Sequence, residues 1–325
     1  MAVSIRLIRS RLKSTRSTRK IMKAMELVSA SKMRKATFLT LGTRPYATLI
    51  RELTQNVRRL TDPRTERLLV GTPTTSGEPV KTLAIIAASD RGLCGGFNTQ
   101  LAKHALEFLH KRFGEQVTLV TVGKRAAQVA KRGNYPILAS FDAISNAPSA
   151  ARAKPVTDLA LQEFMAGRAD RVFLMYMQFK SAMVQVPTIQ QILPIVPEEE
   201  LAVMGHLSPE GEEAEQEEEQ AQEEEEAVLQ KPKRSAEDEE LAALFEPSPE
   251  AVLQQLLPRE LEMQVYQSLL ESSASEHGAR MLAMKSAGDA ASDMIDDLTL
   301  TLNQSRQSAI TREISEISAG KAAIE

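Results

Sequence analysis

A long run of heptad spacing near the C-terminus constrains the fold of this chain more than any other feature. No proline interrupts residues 259–325, and seam positions recur there in alternating steps of four and three residues. Such an alternation predicts a helix packed along a partner helix, and small residues in the seam allow close approach. About sixty residues of helix extend roughly 90 Å, so this helix must project from any globular domain. The seam positions are Met263, Gln267, Leu270, Ala274, His277, Met281, Met284, Gly288, Ala291, Ile295, Leu298, Leu302, Ser305 and Ala309.

The N-terminal segment predicts the partner helix. Residues 4–59 contain a single proline, Pro45, and their apolar residues follow helical spacing. Between Ile8 and Met22 the seam is thin, because it includes Arg19, and such a helix needs a partner. We therefore predict one long helix, bent near Pro45, that pairs antiparallel with the C-terminal helix.

Short apolar runs alternate with helical stretches in the middle of the chain. The runs are rich in β-branched residues and are bounded by turn signals. This alternation predicts a small, mainly parallel, Rossmann-like α/β sheet. Pro187 and Pro194 suit an edge strand in the last run. The predicted strands are residues 82–88, 116–122, 171–179 and 184–195, and the predicted helices are 98–113, 124–132 and 155–167.

The fold class is thus α/β, with a long antiparallel coiled coil of the N- and C-terminal helices carrying a small sheet domain. Four parts are expected along the chain. They are an N-terminal coiled-coil helix (1–60), the α/β domain (80–196), an acidic low-complexity insert (197–244) and a C-terminal coiled-coil helix (245–325).

The charges are strongly segregated, although the net charge is only −3. Residues 1–35 contain eleven Lys or Arg and one acid, whereas residues 210–226 contain eleven Glu and no base. Such blocks usually face partners or solvent. A basic coiled coil that binds nucleic acid is one alternative function, but no aromatic residues are interleaved with the cations as a nucleic-acid motif would need.

The residues that could carry catalysis or bind metal are few. Cys94 is the only cysteine, so an internal disulfide and a thiolate-rich zinc site are excluded, and no histidine is tied to it by a motif. We expect no metal site and no cofactor. The longest apolar run, 83–88, is too short to cross a bilayer, and no secretory signal is expected at the N-terminus.

The loop at residues 89–98 is the one candidate for phosphate binding. It follows a predicted strand and precedes a predicted helix, which is where phosphate-cradling loops lie. Its glycines, Gly92 to Gly96, match neither the P-loop nor the dinucleotide-binding pattern. We favour a structural or partner-contact turn, and keep a nucleotide-binding α/β enzyme using the Gly92–Gly96 loop as the alternative function.

Several motifs together resemble the gamma subunit of F-type ATP synthase. The resemblance covers nearly the whole chain except about residues 198–244. It implies a central rotor shaft, one copy per complex, whose coiled coil lies inside the alpha/beta hexamer while the sheet domain lies near the epsilon subunit and the membrane c ring. The motifs are residues 21–28 (IMKAMELV) with 31–33 (SKM), 89–98 (SDRGLCGGFN), 279–284 (ARMLAM) and 306–314 (RQSAITREI).

The same resemblance assigns partner contacts and no catalytic group. Arg306 and Gln307 are expected to hydrogen-bond the catch loop of a beta subunit, and Met25 with Lys23 to lie near the moving lever of beta. The nucleotide chemistry would belong to beta, with alpha contributing. The resemblance also implies a peripheral location on the cytoplasmic side of a bacterial cell membrane, reached through the c ring, with proton flow as the assumed driving reaction.

The acidic insert is where the chain departs most from the family pattern. Ala290 and Lys321 are smaller departures that leave the fold assignment intact. The insert falls about where gamma subunits of photosynthetic organisms carry a regulatory insertion, but it contains no cysteine, which excludes a thiol switch within it. Our hypothesis is that it restrains wasteful ATP hydrolysis, and the alternative is a tolerated surface insertion.

Overall fold

The computed structural model describes residues 5–62, 66–71, 80–113, 116–145, 147–195 and 245–322. Two long helices, α1 (Ile5–Leu60) and α6 (Pro249–Ala322), pack along each other, and the chain between them forms a five-stranded sheet domain. The acidic insert lies outside the described residues.

Helices α1 and α6 form the predicted antiparallel coiled coil. Contacts join early residues of one helix to late residues of the other: Thr15 Oγ1 lies 3.9 Å from Met294 Sδ, and Thr43 Oγ1 donates to Gln267 Oε1 at 2.6 Å. The buried and half-buried residues of α1 also follow alternating steps of four and three, which is the spacing of a coiled-coil seam. They include Ile8, Leu12, Thr15, Met22, Ser29, Met33, Ala36, Thr40, Ile50, Thr54 and Val57.

The seam of α6 ends earlier than the sequence predicts. Ser305 is half-buried, but Ala309 is exposed, because the described part of α1 begins at Ile5 and has no residue at the level of Ala309. Residues 306–319 are all exposed and form a single helical tip beyond the coiled coil. We call this segment the tip.

The sheet domain has the predicted mainly parallel topology. Its strand order is β3-β2-β1-β4-β5; the first four strands are parallel, and the edge strand β5 pairs antiparallel with β4. Pro187 lies in β5, as an edge strand allows. The elements are α2 (Arg67–Val70), β1 (Thr82–Ala87), α3 (Phe97–Phe113), β2 (Val117–Val122), α4 (Lys124–Arg132), β3 (Ile137–Phe141), α5 (Ala150–Met165), β4 (Arg171–Phe179) and β5 (Gln185–Leu193).

Two hydrophobic clusters cover the two faces of the sheet. Helices α3 and α4 pack on one face, with Phe97, Leu101 and Leu109 fully buried there. Helix α5 packs on the other face with Phe164, and the lower part of α6 completes this cluster. The leucines that α6 supplies are spaced by four residues along one face: Leu253, Leu257, Leu261 and, after Val265, Leu269. The coiled coil and the sheet domain therefore share one core.

Two of the described elements were not predicted from the sequence. The sequence analysis missed the short helix α2 and the strand β3, which is a mostly exposed edge strand of five residues. The C-terminal coiled-coil helix was expected over residues 245–325, and α6 extends from Pro249 to Ala322 in the described part of the chain. Helix α6 continues through Pro258 because burial of the leucines on both sides compensates for one lost backbone hydrogen bond. Helix α1 likewise continues through Pro45.

Candidate functional site

The predicted contact residues Arg306 and Gln307 lie at the start of the tip. Both are exposed, and within the described residues Arg306 has no hydrogen-bond or ion-pair partner. The tip also carries Ile310, Ile314 and Ile317 on one face, each between 47% and 67% exposed. A helix with an apolar face and a free guanidinium is suited to contact another protein.

Lys23 and Met25 lie at a different level of the coiled coil. Arg19 Nη1 donates to Ser292 Oγ at 3.2 Å, and Met33 lies beside Gly278, so Met25 is level with about residue 285 of α6. That level is roughly 30 Å along the helix from Arg306. The structure thus places the predicted residues at two separate levels of one shaft.

Lys23 is engaged within its own helix, whereas Met25 is half-buried. The ammonium of Lys23 donates to both carboxylate oxygens of Glu26, at 2.9 and 3.0 Å. The Lys23 side chain is still 65% exposed, so a partner carboxylate could replace Glu26 at little energetic cost.

The loop at residues 89–98 is a tight turn held by its own side chains. Asn98 Oδ1 accepts a hydrogen bond from the backbone N–H of Ser89, and Asn98 Nδ2 donates to the buried Cys94 Sγ at 3.0 Å. Leu93 and Gly95 have positive φ values of 62° and 56°, which turn the chain back toward α6. Cys94 therefore serves as a packing and acceptor group in this turn.

A group of polar residues on α6, here called the polar belt, docks against this end of the sheet. Ser272 Oγ donates to the carbonyl of Ala87 at 3.2 Å, and Ser275 Oγ donates to the carbonyl of Met177 at 3.0 Å. These carbonyls belong to β1 and β4, where the strand order reverses. All members of the belt are at least nine-tenths buried, and they are Ser272, Ser273, Ser275, Glu276 and Arg280.

The polar belt occupies the crevice in which an open α/β sheet usually binds a ligand. Such ligands bind at the carboxyl ends of parallel strands, where the strand order reverses. Here the carbonyls of Arg91 and Gly92 accept hydrogen bonds from Arg280 at 3.2 and 3.3 Å. The glycine loop is thus packed against α6, an arrangement that favours the structural turn over the phosphate-binding alternative.

Arg280 and Glu276 form a buried ion pair in the belt. Arg280 Nη2 lies 2.7 Å from Glu276 Oε1, and the two side chains are 8% and 2% exposed. Burial raises the pKa of Glu276, and the Arg280 charge opposes that change. Arg280 Nη1 also lies 3.2 Å from His277 Nδ1, so one guanidinium contacts a carboxylate, an imidazole and two backbone carbonyls.

His277, which contacts Arg280 of the belt, is expected to make the stability of the chain fall as the pH drops. Burial, helped by the charges of Arg280 and Lys32, lowers the pKa of His277 to about 4 from 6.5. As the pH falls, His277 of the unfolded chain therefore binds a proton near pH 6.5, whereas His277 of the folded chain stays neutral until about pH 4. The stabilisation is complete above pH 6.5 and is lost between pH 6.5 and 4.

His277→Gln should accordingly reduce the loss of unfolding free energy between pH 7 and pH 4 by about 2 kcal/mol. Urea unfolding at a series of pH values measures this. Glu271 and Glu276, whose pKa values are raised by burial, titrate in both proteins and cancel in the difference. Parallel stability curves for the two proteins would show that His277 does not carry the effect.

A cavity of about 630 Å³, lined mostly by residues with polar groups, lies lower on the shaft, between α1, α6 and the last two strands. Arg44, Tyr176 and Glu271 line it. Burial, with the Glu271 charge, raises the pKa of Tyr176, which keeps its hydroxyl protonated. The cavity does not reach the glycine loop.

No cluster of three or more His, Cys, Asp or Glu side chains in the described ranges could hold a metal ion. No helix in those same ranges is both long and apolar enough to cross a membrane.

The polar belt was not predicted as a site from the sequence. Arg280 was identified only as part of a family motif, and the belt serines were not identified at all. The available signal was two short runs of polar residues, 271–273 and 275–277. They lie between the seam positions Leu270, Ala274 and Met281, which are apolar or small. A run of this kind is also typical of the solvent-facing side of a helix, so it does not identify the belt by itself.

Comparison with known proteins gives consistent results. A family profile described as ATP synthase matches residues 4–324. The chain is 37% identical to an ATP synthase gamma chain of Pelotomaculum thermopropionicum over 322 residues, and 37% identical to one of Anaeromyxobacter dehalogenans over 325 residues, covering 99% of every chain.

Solved structures share the fold. One chain from the Euglena gracilis mitochondrial ATP synthase, in a structure described as OSCP/F1/c-ring, aligns with a TM-score of 0.61 at 19% identity, covering 98% of this chain and 94% of that one. A chain of the Tetrahymena thermophila central stalk and c ring aligns with a TM-score of 0.53 at 22% identity, covering 82% and 99%.

Proposed function

The chain belongs to the ATP synthase gamma chain family, and we propose that it is the central rotor shaft of an F-type ATP synthase. Family membership together with the antiparallel coiled coil and its single-helix tip carries this proposal. In this role the chain is a subunit of the ATP synthase complex. It has no catalytic group or cofactor of its own, and couples ion flow through the c ring to ATP synthesis or hydrolysis in the alpha/beta hexamer.

The charge distribution around the shaft supports such coupling. All eleven cations of residues 6–35 are exposed on α1, while α6 exposes Asp289, Asp293, Asp296 and Asp297 at about the same level. Different sides of the shaft thus present opposite charges. Because the shaft is asymmetric, each catalytic site around it would meet a different surface, and differential binding would shift each site toward a different conformation.

The two levels of predicted contacts fit a shaft inserted tip first. Arg306 and Gln307 at the start of the tip would hydrogen-bond the beta catch loop, and Lys23 with Met25 would face the beta lever below. The sheet domain would remain outside the hexamer, beside epsilon and the c ring. The complex would lie on the cytoplasmic face of a bacterial cell membrane, with protons as the coupling ion.

Reconstitution tests this function. The cognate alpha and beta subunits are mixed with and without the chain, isolated by size exclusion, and assayed for ATP hydrolysis. A stable complex that contains one copy of the chain and hydrolyses ATP cooperatively supports the proposal. If the chain stays outside the complex, or hydrolyses ATP alone, the proposal is wrong and the glycine loop becomes the leading site.

Removing the catch-loop contacts should weaken coupling without unfolding the chain. Arg306→Ala with Gln307→Ala is expected to lower ATP hydrolysis by the reconstituted complex about tenfold, equivalent to about 1.4 kcal/mol, because a charge-assisted hydrogen bond is lost. Arg259→Ala, an exposed arginine on the same helix far below the tip, is the matched control. Equal rates for the two variants would exclude a special role for Arg306 and Gln307.

We also propose that the acidic insert restrains ATP hydrolysis. Deleting residues 201–240 should raise the hydrolysis rate of the reconstituted complex while its assembly is unchanged. Unchanged hydrolysis, inhibition and coupling in the deletion variant would support a tolerated surface insertion instead.

A further inference from the structure

The sheet domain is attached to the coiled coil at two levels. The lower attachment is the hydrophobic cluster, to which α6 contributes residues between Leu253 and Leu269. The upper attachment is the polar belt, where α6 meets the ends of β1 and β4 and the loop at residues 89–98. The upper attachment consists largely of directional hydrogen bonds.

Arg280 is the belt residue that reaches the glycine loop. Its Nη2 donates to the carbonyls of Arg91 and Gly92, and its Nε also donates to the carbonyl of Gly92, at 3.3 Å. Glu276, one turn earlier on α6, fixes the orientation of the guanidinium. A planar fork held by a carboxylate has little freedom to turn.

The loop is in turn fastened to the rest of the sheet domain. Asp90 Oδ1 accepts hydrogen bonds from the backbone N–H groups of Lys124 and Ala143, and Asp90 Oδ2 accepts one from Ser145 Oγ at 2.9 Å. The carbonyl of Ser145 accepts from Ser273 of the belt at 2.7 Å. A continuous set of hydrogen bonds therefore runs from α6 through the loop into the ends of three parallel strands and back to α6.

We propose that Arg280, by gripping the carbonyls of Arg91 and Gly92, is the positioning residue that transmits torque between the coiled coil and the sheet domain. Hydrophobic contact is non-directional and resists sliding weakly, whereas oriented hydrogen bonds resist rotation of one body against another. This proposal rests on the rotor function, in which the sheet domain carries the load while the upper coiled coil receives the force.

An engineered disulfide can replace the contact between Arg280 and the loop at residues 89–98. A Cβ built on Gly95 would lie 3.8 Å from the Cβ of Ala283, which is within the range of a disulfide. Gly95→Cys with Ala283→Cys would thus join the loop to α6 without Arg280, although the φ of 56° at Gly95 makes a side chain there moderately strained. Cys94→Ala removes the competing native thiol.

The test measures torsional stiffness in the assembled hexamer. In a Cys94→Ala chain, Lys103→Cys on the exposed face of α3 carries a bead, and the angular variance of the bead is recorded while catalysis is stalled. Arg280→Lys keeps a positive charge beside Glu276, so the fold should be preserved. It lacks the planar guanidinium that donates to the carbonyls of Arg91 and Gly92. It should raise the variance at least about twofold at an unchanged rate of ATP hydrolysis.

The second part of the test asks whether the disulfide restores the native angular variance to the Arg280→Lys chain. The Arg280→Lys chain with the disulfide formed is labelled at position 103 by a thioether, so that reducing agent opens only the disulfide. The variance should be at the native level before reduction and should rise after it. Arg168→Lys, which alters an exposed ion pair with Glu163 in the same domain, should leave the variance unchanged.

The outcomes separate the two proposals. If Arg280→Lys has native variance, or if opening the disulfide changes nothing, Arg280 does not transmit torque although the rotor function stands. If the bead on a chain with native Arg280 fails to turn in ATP, the rotor function fails, and the role of Arg280 with it.

Discussion

Arg280→Ala is expected to lower the free energy of unfolding of the purified chain by about 3–5 kcal/mol. The substitution leaves Glu276, which is 2% exposed, as a buried carboxylate without its ion-pair partner. It also leaves the carbonyls of Arg91 and Gly92 without the donor that now satisfies them, which adds to the cost. Urea unfolding followed by circular dichroism measures the loss.

Two variants identify the cause of that loss. Arg168→Ala removes an arginine that is 61% exposed, and it should cost far less because solvent screens an exposed ion pair. Adding Glu276→Gln to Arg280→Ala removes the buried carboxylate charge that has lost its partner, and it should recover part of the stability. A loss for Arg280→Ala as small as that for Arg168→Ala would contradict the described ion pair.

Gly123→Ala is expected to cost roughly 3 kcal/mol or more, because two penalties combine at this turn. A Cβ at this position would lie within 2.3 Å of the carbonyl oxygen of Ala88, and backbone cannot move aside as a flexible side chain can. Gly123 also has a φ of 90°, which L-residues other than glycine rarely adopt. The substitution should shift the urea midpoint strongly.

Gly42→Ala is the matched control for Gly123→Ala. No atom lies within 4 Å of the Cβ that it adds, and Gly42 is inside helix α1, so alanine should stabilise the chain by up to about 1 kcal/mol. Opposite signs for the two substitutions are the expected result. Similar values would contradict the turn described between β2 and α4.

The long helices and most strands could be predicted because their signals are local. Heptad spacing over many turns defines α6 without knowledge of any other residue, and buried strands such as β1 are continuous apolar runs. Strand β3 was not predicted, because its five residues are too few for an apolar run or an alternation to stand out and they are mostly exposed.

The contact residues of the tip and the polar belt differ in how much of each could be predicted from the sequence. Arg306 and Gln307 are exposed because they lie outside the seam positions, at the level where the described part of α1 ends. Their partners can be named only through family resemblance. The polar belt depends on which carbonyls the sheet presents to α6. No sequence pattern gives that information, because the interacting residues are separated by nearly two hundred positions, as between Arg280 and Gly92.

The most direct test of the central claim is to watch the chain turn. The alpha/beta hexamer is fixed to a surface, and a bead is attached through Lys103→Cys on the sheet domain; the native Cys94 is buried and does not compete for the label. The rotor account predicts sustained rotation in one direction that requires ATP and stops when it is exhausted. A complex that contains the chain and hydrolyses ATP while the bead shows no directed rotation would contradict it.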